Sequence, residues 1–213
     1  VIKFLKPKIA EALPGFDTVA RYYDRHNQKV AAKIKPGEYY VSNTDELIVT
    51  VLGSCISACI RDRVNHIGGM NHFMLPVTDE EKFTGANAHK DAARYGNFAM
   101  EFLINNILRN GGERQHLEVK LFGGAKVIKK MSDVGDRNIQ FIHEYMSSEN
   151  LQVLASDLGG NHPRKVLYNP LTGVVRVKKL RNLHNDTIVR REDRYLNDIQ
   201  SDQTVKSDIE LFD

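Results

Sequence analysis

The sequence predicts an α/β (α+β) protein, a layered sandwich with a mixed, largely antiparallel β core and flanking helices. Three observations carry this. Short runs rich in β-branched residues recur along the chain, bounded by Gly, Pro, Asn and Asp. Two longer stretches instead repeat apolar residues at spacings of three and four. The 213 residues are 41% hydrophobic, enough for one sizeable core.

Taken in order, residues 1–12 suit one or two helical turns, ended by Pro14-Gly15. Residues 16–34 are mixed, with a short strand over 30–34. Pro36-Gly37 marks a turn before a strand over 38–41, and Ser42-Asn43-Thr44-Asp45 breaks it. LIVTVL at 47–52 reads as a buried strand. Gly53-Ser54 turns the chain. A period of two over 56–61 and a return strand over 67–75 then make a hairpin, stopped by Pro76. Residues 77–90 read as a polar loop. Ala92, Tyr95, Ala99, Phe102, Leu103 and Ile107 share one face of a helix over 91–110, and Gly111-Gly112 closes it. A strand over 117–122 ends in Gly123-Gly124, followed by a short helix over 125–131 and a second helix over 138–146. Strands over 151–157, 165–169 and 174–180 complete the core, the last two joined by the turn Pro170-Leu171-Thr172-Gly173. Beyond Asn182 the hydrophobic periodicity fades, so 182–213 is expected to be a mobile acidic tail. The chain then divides into an N-terminal extension (1–35), a main domain (36–181) and that tail.

Charged residues make up 27% and the net charge is +3. Residues 1–40 carry eight Lys/Arg against four Asp/Glu, while 181–213 carry five against eight. Two solvated ends or charge-steered contacts both fit this distribution. No apolar run approaches the ~18 residues of a membrane span, so no direct membrane insertion is expected. The lysine-interrupted start does not suit a signal peptide. Two cysteines four apart make neither a disulfide framework nor a zinc site, and a reducing, cytoplasmic setting is the expectation. The mixed aromatic and basic residues at 21–25 are a single cluster, too little to imply nucleic acid.

The chemistry concentrates in 46–76. If the hairpin turn centres near residues 63–64, Cys55 and His72 face one another, with Cβ atoms roughly 5 Å apart. An imidazole beside a thiol raises the thiolate fraction and can later protonate a leaving amine. Gly53 and Ser54 place backbone N–H groups beside the sulfur, where an oxyanion would form. Thr50, on the preceding strand, can orient the histidine or bind substrate. Plain packing of a buried cysteine fits the same residues, and a one-residue slip would turn His72 to the other face. Cys59 lies on the same face as Cys55 but about 13 Å away by strand rise, too far to share the chemistry. Gly123-Gly124 and Gly159-Gly160 suit either tight turns or close approach to a site. The lysines at 126, 129 and 130 read as a solvated face, since the pattern is not a P-loop.

LGSCISACIRD followed by IGGMNHFMLP resembles the signature of the CheD family, glutamine deamidases of bacterial chemoreceptors. RYGNFAMEFLINNILRNGG (94–112), KLFGGA (120–125), VGDRN (134–138) and DLGGNHPRKVLYNPLTGVVRVKKL (157–180) resemble later family motifs in the same order. LPGFDTVARYYDRH (13–26) is similar to the leader of longer members. The resemblance implies a cysteine-hydrolase-like sandwich with Cys55 as nucleophile, His72 as its base and Thr50 as the third catalytic residue. It implies no metal or other cofactor. Asn71 stands where the family often has a small residue, so it is a candidate for the substrate groove with Gly123 and Gly124. The implied reaction converts receptor glutamine to glutamate through a thioester and tunes adaptation; some relatives also hydrolyse receptor methyl esters. Implied partners are methyl-accepting chemotaxis receptors, whose helical cytoplasmic part presents the glutamine, and a CheC-type phosphatase. A non-catalytic adaptor that docks receptors or a phosphatase is the alternative. A cysteine peptidase lacks support, because nothing marks a peptide-backbone cleft. The acidic-apolar end at 208–212 could serve as a docking peptide.

Overall fold

A computed structural model describes residues 9–76, 87–127, 133–180 and 186–206, with side chains over 9–76, 95–127, 133–180 and 187–199. In chain order the strands are β1 (Ala20–Asp24), β2 (Lys29–Lys33), β3 (Tyr39–Ser42), β4 (Leu47–Leu52), β5 (Ile56–Asp62), β6 (Ile67–Asn71), β7 (Leu117–Gly123), β8 (Val153–Leu158), β9 (Arg164–Tyr168) and β10 (Val175–Lys179). The helices are α1 (Asn87–Arg109), α2 (Val134–Ser148) and α3 (Asp186–Lys206), with one 3₁₀ turn at Arg114–His116.

The strands form two five-stranded sheets, ordered β1-β2-β4-β9-β10 and β3-β6-β5-β7-β8. Among the described residues, only β2–β4 and β7–β8 pair in parallel; the other pairings are antiparallel. The layered, largely antiparallel α+β sandwich expected from the sequence is therefore the observed architecture. Alternation along β4 sends Ile48, Thr50 and Leu52 toward the second sheet, while Leu47 and Val49 pack with Ala31 on the outer face. In the second sheet β5 is covered on both faces. Cys55, Ser57 and Cys59 look toward the first sheet; Ile56, Ala58 and Ile60 look toward α1 and α2. Double coverage explains why six of the seven β5 residues are buried.

The hairpin register is a correction. Cys59 pairs with Met70 and Ile56 bridges Phe73. Facing pairs are thus offset by two residues from the expected Cys55–His72 pairing, and Met74 takes the place opposite Cys55. An even offset preserves the face, so His72 still points to the side of Cys55 as its diagonal neighbour. The hairpin turn is built on Asp62, which accepts from the Val64 and Asn65 N–H groups, the Asn65 amide and the Glu113 N–H at 2.7–2.8 Å.

Other expectations shift at element ends. β1 was not distinguished within the mixed region 16–34. Residues 9–12 are not helical, and the rest of the 1–12 segment lies outside the described residues. α1 begins at Asn87, inside the expected loop. Residues 125–127 are neither helix nor strand where a short helix is expected, and 128–132 lie outside the described residues. The largest correction concerns the expected mobile tail. Residues 186–206 form α3, which buries Ile188, Glu192, Leu196 and Ile199. Their spacing of four, four and three keeps them on one helix face. The faded periodicity is explained by Glu192, a charge within the apolar stripe. The suggested docking peptide at 208–212 lies outside the described residues.

Burial pushes the Asp62 carboxyl up, but hydrogen bonds from Asn65, Glu113 and Val64 outweigh it and hold the group well below the usual carboxylate range. Asp62→Ala leaves these donors without their acceptor and should cost about 3 kcal/mol in denaturant unfolding. The Asp62 contribution should be present near neutral pH and lost as pH falls below the ordinary carboxylate range.

Candidate active site

The chain crosses from the first sheet to the second through Gly53-Ser54-Cys55, between β4 and β5. This crossing lies in the buried seam between the sheets, so each of its backbone groups needs a partner. The three carbonyls are tied to the surrounding domain. Gly53 O accepts from Ala125 N–H, Ser54 O from the Asn138 side-chain amide and Cys55 O from Gly124 N–H, each at 2.8 Å. The N–H groups all point to one acceptor, the Glu192 carboxylate of α3. Gly53 N–H donates to Oε1 at 2.7 Å and Ser54 N–H to Oε2 at 2.8 Å. Cys55 N–H makes a longer contact to Oε1 at 3.5 Å. The Ser54 hydroxyl adds a bond to Oε2 at 2.7 Å.

His72 follows β6, where the hairpin ladder opens. Its backbone turns to the neighbouring segment: N–H donates to Glu38 O, and its carbonyl accepts from Gly37 N–H. Its ring reaches the first sheet. Thr50 Oγ1 lies 2.8 Å from His72 Nδ1 and 3.0 Å from the Ile34 carbonyl. A carbonyl can only accept, so the single hydroxyl proton of Thr50 goes to Ile34. Thr50 then accepts from His72 Nδ1–H, which leaves the lone pair on Nε2. Nε2 is buried and has no hydrogen-bond partner. One ligand-type atom each from Cys55 (Sγ), His72 (a ring nitrogen) and Glu192 (a carboxylate oxygen) lie within 4.8 Å of one another.

The structure thus brings Thr50, Gly53, Ser54, Cys55 and His72 together. The other candidates sit around them. Gly123 and Gly124 support the crossing from behind, Gly124 through its N–H to Cys55 O. Gly123 has φ +117°, and a Cβ there would overlap the Cys55 carbonyl oxygen. Asn71 sends its side chain toward α1: Oδ1 accepts from Ala58 N–H at 2.8 Å and Nδ2 donates to Ala99 O at 3.0 Å. Its residue also lines a groove of about 290 Å³ beside His72, bounded by Gly37, Tyr39, Phe98, Phe102 and Tyr195. Cys59 is buried deeper along β5, beside Lys120 and Tyr168.

Burial and the adjacent Glu192 charge, with a hydrogen bond to it, push the Cys55 thiol well up. Burial, reinforced by the charge of Arg191, lowers the His72 imidazole to about 3. With α3 in place both groups are neutral at neutral pH. Cys, His and Glu are also the residue types that hold zinc. Here, however, both Glu192 oxygens face N–H donors, an environment suited to an anion. Sequence reading missed Glu192 and Asn138. The signal for Glu192 was a glutamate in register with Ile188, Leu196 and Ile199.

A model of the CheD family, described as CheD chemotactic sensory transduction, matches residues 74–179. Whole-chain relatives extend the similarity across the site. A probable chemoreceptor glutamine deamidase CheD of Halorhodospira halophila (strain DSM 244 / SL1) is 52% identical over 206 residues, covering 96% of this chain and 94% of its own. The chain belongs to the CheD family. Proteins of the same name from Hahella chejuensis (strain KCTC 2396) and Janthinobacterium sp. (strain Marseille) are 49% and 53% identical over 203 and 193 residues. They cover 94% and 90% of this chain and 94% and 93% of their own. The family match to 74–179 includes the Gly123-Gly124 support and Asn138, whereas Thr50, Cys55, His72 and Glu192 lie outside it. Among the described residues, no helix of this CheD chain is long and apolar enough to cross a membrane.

Two outcomes are expected. Gly123→Ala should lose at least about 3 kcal/mol in chemical unfolding, because positive φ and the Cys55 carbonyl both oppose a side chain. The unfolded chain binds a proton at His72 more readily than the folded one. Stability should therefore fall as pH drops from about 6.5 toward 3. His72→Gln should flatten that part of a melting-temperature profile.

Proposed function

We propose that this protein is a protein-glutamine glutaminase: it hydrolyses the side-chain amide of glutamines in methyl-accepting chemotaxis receptors, with Cys55 as nucleophile. The observation that carries this reading is the grouping of Thr50, His72 and Cys55: Thr50 bonds Nδ1, Nε2 is left unpartnered, a ring nitrogen lies within 4.8 Å of the Cys55 sulfur, and backbone donors gather at 53–55. The relatives' names supply the substrate class.

His72 Nε2 takes the Cys55 proton as the sulfur attacks the glutamine Cδ. The carbonyl oxygen becomes an oxyanion facing the Gly53, Ser54 and Cys55 N–H groups. His72 returns the proton to the departing nitrogen, the C–N bond breaks, ammonia leaves and a thioester remains. Water, deprotonated by His72, attacks the thioester carbon; the C–S bond breaks, the sulfur recovers a proton and glutamate is released. Thr50 acts through His72 as a positioning residue. It keeps the proton on Nδ1 and stabilises the ring while it is charged. Hydrolysis of receptor methyl esters needs the same steps with methanol as the leaving group. Deamidation of this kind tunes adaptation by exposing new carboxylates on the receptor, and a CheC-type phosphatase is the further partner of the reading. The reaction takes place in the cytoplasm, where the receptor helices lie.

The direct test is ammonia release, with a mass gain of about one dalton per site, on purified receptor cytoplasmic fragments. Wild type should turn over and Cys55→Ala should be silent. Equal product from both would falsify Cys55 as the nucleophile, and no product from either would favour an adaptor role. Thr50→Val should lower kcat by about 100-fold with little change in KM, and Thr50→Ser should recover most of it.

A further inference from the structure

Two features of α3 stand apart from the proposed reaction. Glu192 is 1% exposed, in the centre of the helix face otherwise formed by Ile188, Leu196 and Ile199. A charge there opposes docking unless it is fully paired. Its partners are the N–H groups of the Gly53–Cys55 crossing and the Ser54 hydroxyl. Gly53 makes room for it: a Cβ there would stand 2.6 Å from Glu192 Oε2. Meanwhile Cys55 is 0% and His72 1% exposed, so no receptor side chain reaches the sulfur while α3 is seated.

We propose that α3 is a built-in product mimic: Glu192 occupies the subsite of the glutamate side chain formed in the reaction, and α3 occupies the seat of the receptor helix that carries it. The inference rests on the deamidase reading above and extends it to the substrate's docking surface. Three points converge. The donors at 53–55 meet both oxygens of one carboxylate, the group that the reaction leaves on the processed side chain. The side chain is delivered from a helix, the presentation a helical receptor would use. The rest of the seat is built for a helix: Leu196 enters the main core, the Tyr195 ring lies 3.0 Å from where a Gly37 Cβ would stand, and the Tyr95 and Tyr195 hydroxyls are hydrogen-bonded. Tyr195 also closes the groove beside His72.

The closed form is a resting form. Its thiol is raised by burial and by Glu192, and its imidazole is neutral. A receptor helix must replace α3 to be processed, and a tethered competitor acts at a high effective concentration. Departure of Glu192 removes one cause of the raised thiol as the donors are freed for the substrate oxygen.

The decisive experiment is Glu192→Gln, a near-isosteric change that offers the site an amide in its own chain. Attack by Cys55 would break the C–N bond, release ammonia and, after water cleaves the thioester, leave glutamate. Peptide mass spectrometry should therefore find position 192 about one dalton heavier than encoded. The double variant with Cys55→Ala should keep its glutamine. Retention of glutamine by a Glu192→Gln preparation that deamidates receptor fragments would overturn the product-mimic inference and leave the enzyme reading intact. Silence toward both substrates would overturn the deamidase reading and this inference with it. As a second readout, Glu192→Ala should raise the rate of Cys55 alkylation about tenfold, shift its pH profile downward and lower KM for receptor fragments. Alkylation unchanged in rate and pH profile would overturn the closure.

Discussion

Three consecutive peptide groups in a dry seam set the terms for the rest of this structure. Gly53-Ser54-Cys55 must carry the chain from one sheet to the other without water, so its hydrogen bonds have to come from protein. The carbonyl side is secured by Ala125, Asn138 and Gly124, from the segment after β7 and from α2. The N–H side is left facing a site that needs an anion, and α3 supplies one in Glu192. The division is chemically useful. Carbonyl partners hold the crossing on one side, while its N–H donors converge on a single carboxylate on the other.

The same seam explains the state of the thiol and the imidazole. Burial alone favours both neutral forms, and the Glu192 carboxylate strengthens that bias at Cys55. Thr50 counteracts part of the cost for the histidine. By giving its own proton to Ile34 it accepts from Nδ1–H and leaves the lone pair on Nε2. With α3 seated, the fold orients the thiol and the imidazole and holds both neutral.

Much of this was legible in the chain. The β-branched run of β4, the period of two in β5, the Gly-Ser turn between them and the helical spacing of α1 are local patterns, and each produced its element. The hairpin register was legible only to its parity. Alternation fixes which face a side chain takes, whereas the offset of two depends on a turn anchored by Asp62 to Glu113, which is distant in sequence. Gly123 and Gly124 could be read as candidates for closeness to the site, but not as the support of the Cys55 carbonyl. Asn138 was legible only as part of the VGDRN motif, not as a site residue, because its partners at Ser54 and Leu75 are far away along the chain.

The sequence by itself determined the local elements, the candidate pair of Cys55 and His72 on one strand face, and the resemblance to CheD proteins, since all three reside in short-range pattern. Only the tertiary structure decided what the 53–55 crossing meets. A glutamate among polar residues looks like a solvated charge until the helix that bears it is seated. Glu192 is instead buried against three backbone N–H groups more than 130 positions upstream. Unpaired backbone donors in a dry seam leave no trace in side-chain periodicity, so their demand for an acceptor becomes visible only when the sheets and α3 are brought together.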